Sequence, residues 1–89
     1  MVSQQVAIIN KLGLHARAAA KLVTVASGFT SEIEVEHGER KVNGKSIMGV
    51  MMLAASKGRE IVIYANGSDE NEALEQLCGL VNNRFDEAE

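Results

Sequence analysis

The segment Gly13-Leu14-His15-Ala16-Arg17 joins a nucleophile to an anion clamp two residues further on. An imidazole, with an ordinary pKa of about 6.5, is largely neutral near neutral pH and attacks phosphorus without a separate base. An arginine guanidinium offers parallel donors to phosphate oxygens and offsets charge on a transferring group. The apolar spacing after Ala16 predicts a helix, which puts His15 on the residue before it and Arg17 in its first turn. A helix start carries unpaired N–H groups and a partial positive charge, so an anion attached to His15 would find donors in place. A phosphoryl group fits that description. The same residues also read as a polar neighbour of a helix cap and a solvated first-turn charge, and spacing alone does not choose between them. His37, at a strand end beside the Gly38 turn, is a weaker candidate.

The elements that must hold these residues follow from periodicity. Val6, Ala7, Ile8 and Ile9 form an apolar run read as a buried strand, which stops at the loop Asn10-Lys11-Leu12-Gly13. From Ala16 to Ser27, Ala19, Leu22, Val23 and Ala26 recur at helical spacing with Arg17, Lys21 and Thr24 opposite, and Gly28 supplies the stop. Ser31 to His37 alternates polar and apolar, and Arg40 to Asn43 pairs back on it as a hairpin with only Val42 to bury. A short, unusually apolar helix runs from an N-cap at Ser46 to about Ser56. Glu60 to Ala65 is a strand closed by Asn66-Gly67, and Ser68 to Glu72 opens a last helix whose Leu74, Leu77, Cys78 and Val81 face a core. The order β-α-β-β-α-β-α in one domain, 1–89, predicts an α+β fold. Three helices cover one face of a four-stranded antiparallel sheet, with Glu32, Glu34 and Glu36 on the open face.

Composition narrows the function. With 46% hydrophobic and 24% charged residues the chain is too apolar for a disordered segment. No apolar run approaches the roughly 20 residues of a membrane helix, and Met1 to Gln5 lacks signal-peptide character, so a cytoplasmic protein without membrane insertion is expected. A net charge of -3 and 3% aromatic residues argue for protein partners over nucleic acid. The single cysteine, Cys78, reads as a core thiol, and no ligand spacing for a metal is present, so neither a metal nor a cofactor is expected.

The helix after Ser46 carries a second signal. Ile47, Val50, Met51 and Ala54 make one apolar stripe, while Met48, Met52 and Ala55 lie towards the other side, and both cannot face one sheet. Flexible Met and Ile side chains suit an adaptable protein-binding surface, although Val50, Leu53 and one or two of the methionines read as core. Ser46 reads first as a cap contributing about 1 kcal/mol. Phosphate there would be tolerated at a helix start yet would set negative charge beside a docking surface.

Lys11-Leu12-Gly13-Leu14-His15-Ala16-Arg17 resembles the active-site signature of the HPr family of histidine-containing phosphocarriers, and Gly44-Lys45-Ser46-Ile47-Met48-Gly49-Val50 its second motif. The resemblance extends through Ala65-Asn66-Gly67-Ser68-Asp69-Glu70 and covers essentially the whole chain. It implies the HPr-like open-faced β-sandwich and a carrier, not a turnover enzyme. His15 would be phosphorylated on Nδ1 by phosphorylated enzyme I of the phosphoenolpyruvate-dependent phosphotransferase system and would donate to an enzyme IIA protein or domain. By the same resemblance Arg17 assists transfer, Ala16, Ala20, Ile47, Met48 and Met51 form the docking surface, and Ser46 matches a regulatory serine addressed by an HPr kinase/phosphorylase. A monomer is expected. The sequence departs from the family at Ala18, where proline is common; alanine keeps the helical path. Lys57-Gly58-Arg59 and Asn83 to Glu87 look more like the nitrogen-related NPr branch, or the short HPr-like proteins of proteobacteria, than like the main sugar carriers, and the resemblance leaves sugar uptake and nitrogen-related regulation both open. The alternative function is a regulatory interaction module of the same fold, controlled through Ser46.

Overall fold

Main-chain pairing decides where the strands begin. The computed structural model describes residues 1–89 and orders them as β1 (Val2–Ala7), α1 (Ala16–Ser27), β2 (Glu32–His37), β3 (Arg40–Asn43), α2 (Ile47–Met52), β4 (Glu60–Asn66) and α3 (Glu70–Asn82), followed by a 3-10 turn at Arg84–Asp86. The sheet order is β1-β4-β2-β3 and every neighbouring pair is antiparallel, so β1 and β2 run parallel with β4 between them. A crossover is therefore needed between β1 and β2, and α1 supplies it. The fold is the open-faced α+β sandwich expected from the element order. Alternation in β2 places Ile33 and Val35 inside and Glu32 and Glu34 in solvent. On the same open face the Tyr64 hydroxyl donates to Glu36 at 2.6 Å and Lys41 Nζ lies 4.1 Å from the Tyr64 ring centre.

One core of 21 buried residues fills the space between sheet and helices, and α1 reaches it through Ala18, Ala19, Leu22, Val23 and Ala26. Each large side chain withdrawn from water, such as Leu22, Ile61 or Phe85, contributes roughly 1.5–3 kcal/mol. Cys78 belongs to this core, and burial raises its thiol pKa. In α3, Ala73, Leu77, Cys78 and Val81 are buried while Leu74 is only partly covered.

Two boundaries differ from the periodicity. The first strand starts at Val2, because Val2 through Ala7 pair with Ala65 through Glu60 whatever their side chains, and Ile9 is exposed rather than buried. The second helix ends at Met52, well short of Ser56. The segment after it is committed elsewhere: Leu14 N–H donates to Ala55 O at 2.9 Å, Gly58 N–H to Ile8 O at 2.8 Å and Ile8 N–H to Arg59 O at 2.8 Å. A further helical turn would forfeit these bonds, and Ala54 instead adopts φ 50. Gly13 is where the two loops meet. Its φ is +68, and a Cβ there would lie 2.6 Å from Ala55 O, so glycine is required on both counts.

Candidate phosphoryl site at the start of α1

His15 is the N-cap residue of α1, with an extended backbone (φ -75, ψ 177) and no side-chain bond to the helix. The first intrahelical bond runs from Ala19 N–H to His15 O at 2.9 Å, so the N–H groups of Ala16, Arg17 and Ala18 have no backbone partner. That leaves three donors and the positive end of a 12-residue helix beside the imidazole. The unpaired Ala18 N–H also explains why proline is acceptable at this position: its ring would remove a donor that no carbonyl uses.

The imidazole is held from the far end of the chain. Its Nε2 donates to the Glu87 carboxylate, while Nδ1 makes no hydrogen bond. Since an ionised carboxylate only accepts, the proton of the neutral ring lies on Nε2. His15 and Glu87 side chains are 26% and 15% exposed, so the pair is sheltered but open to an incoming group. The buried Asn10 binds the second carboxylate oxygen through Nδ2 at 2.9 Å and also donates to Gly13 O at 2.9 Å. Desolvation pushes the Glu87 pKa upward, but the bonds from Asn10 and His15 and the charges of His15 and Lys21 outweigh it, leaving the carboxyl below its ordinary value.

The closing segment is shaped to reach this point. Arg84, Phe85 and Asp86 all have left-handed backbones, φ 56, 53 and 63, a conformation that costs L-residues about 1 kcal/mol or more each. Opposing that cost, Phe85 is fully buried, Lys21 Nζ binds Phe85 O at 2.8 Å and Asn83 Nδ2 binds Asp86 at 2.7 Å. The turn after α3 thereby carries Glu87 back to His15.

Around the imidazole an open groove is lined by Lys11, Leu12, Ala16, Arg17 and Lys21 on one side and by Asp86, Glu87 and Glu89 on the other. Arg17 is exposed there and has no ion pair, so its guanidinium is available to an anion. Ala16 is exposed and Ala20 half-buried on the same helix.

Ser46 is the N-cap of α2 and its Oγ accepts the Gly49 N–H at 3.1 Å. The helix packs against α1 and turns only Val50 fully inward. Ile47, Met48, Met51 and Met52 are all exposed, as is Leu12 in the loop before His15. The expectation that one or two methionines are core does not hold, because a six-residue helix has a single inward position once Leu53 leaves it. His37 lies elsewhere: its Nδ1–H donates to Leu53 O at 2.9 Å and its Nε2 accepts from Arg59 at 3.3 Å, tying the end of β2 to the end of α2.

Asn10 and Glu87 are the site residues that sequence reasoning missed. Glu87 lies 72 positions from His15, and nothing in its local pattern marks it.

A family model described as the PTS HPr component phosphorylation site matches residues 2–83. The chain belongs to the HPr family of phosphotransferase-system phosphocarriers. It is 53% identical over 89 residues to phosphocarrier protein HPr of Neisseria meningitidis serogroup B, covering 100% of both chains. Phosphocarrier protein NPr of Shewanella violacea is 46% identical over 87 residues, covering 98% of this chain and 96% of the relative. The crystal structure of HPr-C-His from Thermoanaerobacter tengcongensis superimposes with a TM-score of 0.95 at 46% identity, covering 100% of both chains. In this HPr-family chain the matched span holds His15, Arg17 and Ser46 but ends before Glu87.

Proposed function

We propose that this protein accepts a phosphoryl group on His15 from phosphorylated enzyme I and donates it to an enzyme IIA protein or domain in the cytoplasm. The observation that carries the reading is the start of α1: an imidazole with one free nitrogen stands at the cap position beside three unpaired N–H groups. Those donors and the Arg17 guanidinium would hold the phosphoryl oxygens without enclosing them, which suits a group that must leave again. The protein is then a relay intermediate, substrate of one partner and donor to the next. Ile47, Met48 and Met51, with Ala16 and Ala20, form the surface on which both partners dock.

The test is incubation with phosphoenolpyruvate, magnesium and enzyme I. An acid-labile, alkali-stable adduct forms on the parent protein and is absent from His15→Ala. A parent protein that takes up no phosphoryl group overturns the reading.

A second reading, an interaction module switched at Ser46, draws on that serine's place beside the exposed apolar residues of α2. It requires that partner binding survive His15→Ala yet respond to Ser46→Asp in calorimetric titration; insensitivity to Ser46 removes it.

A further inference from the structure

The contact between His15 and Glu87 reaches beyond the acceptor role, although it rests on the reading that His15 carries the phosphoryl group. The carboxylate faces Nε2, on the opposite flank of the ring from Nδ1, so it does not occupy the place of an incoming phosphorus. It is oriented by a buried amide: Asn10 Nδ2 binds Oε1 at 2.9 Å, and the other carboxylate oxygen is left to His15. Three consecutive left-handed residues and a buried phenylalanine deliver it, a backbone route whose cost calls for a use.

We propose that Glu87 is a positioning residue for phosphoryl transfer, holding the imidazole proton on Nε2 so that Nδ1 presents its lone pair, and stabilising the imidazolium that transfer creates. The Nδ1 lone pair forms the N–P bond while the bond from phosphorus to the donor's carrying atom breaks and its electron pair returns to that atom. No proton has to move. Both nitrogens of the His15 ring are then substituted, Nε2 by hydrogen and Nδ1 by phosphorus, and the ring is cationic against the Glu87 carboxylate. Donation onward reverses each change. A carboxylate behind an imidazole acts in this way wherever the ring must keep one tautomer and bear charge in passing. Lys11, Arg17 and Lys21 oppose a cationic ring, and Asp86 and Glu89 support it, but only Glu87 touches it.

The experiment compares the parent protein with Glu87→Gln, Glu87→Ala and Glu87→Asp in two measurements. In the first, the rate of phosphoryl uptake from enzyme I and phosphoenolpyruvate falls about tenfold in Glu87→Gln and Glu87→Ala and is partly restored in Glu87→Asp. In the second, the nitrogen chemical shifts of the neutral His15 ring report which nitrogen carries the proton. The Nε2–H form prevails in the parent and in Glu87→Asp, whereas Glu87→Ala, which lacks the acceptor, gains Nδ1–H tautomer. Loosening of the chain end alone would slow uptake in Glu87→Ala without moving the ring proton. Unchanged uptake in Glu87→Gln and Glu87→Ala, or an unchanged tautomer in Glu87→Ala, overturns the proposal while leaving the acceptor reading intact, whereas failure of the parent to take up phosphate overturns that reading itself.

Discussion

At the start of α2, Ser46 Oγ accepts the Gly49 N–H at 3.1 Å, whereas at the start of α1 His15 holds the same cap position and its side chain turns away to Glu87. The start of α3 follows a third course. Its cap residue, Asp69, makes no side-chain bond to its own helix and instead accepts from the Thr30 N–H at 2.9 Å, the Ser31 N–H at 3.0 Å and the Ser31 hydroxyl. One helix start is closed by its own side chain, one spends its cap residue on a neighbouring loop, and one is left open. An open start forgoes about 1 kcal/mol of capping. What it gains is a set of donors that an arriving anion can use and then release.

The largest expected effect comes from closing the open start. In His15→Ser the new hydroxyl caps α1, so uptake of phosphoryl groups is abolished while stability in urea stays within about 1 kcal/mol of the parent, the cap offsetting the lost Glu87 contact. Charging the closed start comes next. Ser46→Asp keeps a capping oxygen, so the fold tolerates it, but a carboxylate beside Ile47 and Met48 weakens binding to enzyme I about tenfold in calorimetric titration. Removing the cap has a smaller consequence: Ser46→Ala loses about 1 kcal/mol in urea unfolding yet still accepts phosphate on His15.

The smallest effect is confined to acid. The Ser31 hydroxyl bond, followed by the Thr30 and Ser31 N–H bonds, lowers the Asp69 pKa from 3.8 to about 2. A depressed folded-state pKa contributes stability above the ordinary value and loses it as pH falls through the folded one. Unfolding midpoints of the parent therefore decline between about pH 4 and pH 2 through this group, and in Asp69→Asn that portion of the decline disappears. An Asp69→Asn profile parallel to the parent's over this range would mean that the contacts to Thr30 and Ser31 do not distinguish α3 from the other two helix starts.

Much of this was legible before folding. The alternation of Glu32 to His37 and the three-to-four spacing of Ala19, Leu22, Val23 and Ala26 are period signals that any sheet or helix must obey, and both elements formed with the expected faces inward. His15 and Arg17 were readable because the chemistry and the helix start are local to each other. The end of α2 was not, since the bonds that stop it come from Ile8 and Leu14, some forty residues away. The Met residues stayed in solvent for the same reason: a shorter helix buries fewer positions.

The sequence by itself determined the imidazole and guanidinium at the start of α1, the cap at Ser46 and the alternation that makes a one-sided sheet, because each depends on residues within a turn or two of one another. Tertiary structure decided what stands behind the imidazole. Glu87 meets His15 only after α3 has packed on the sheet, Phe85 has entered the core and three left-handed residues have turned the chain back. Contacts across 72 positions are set by packing and main-chain geometry, which leave no period in the sequence to read.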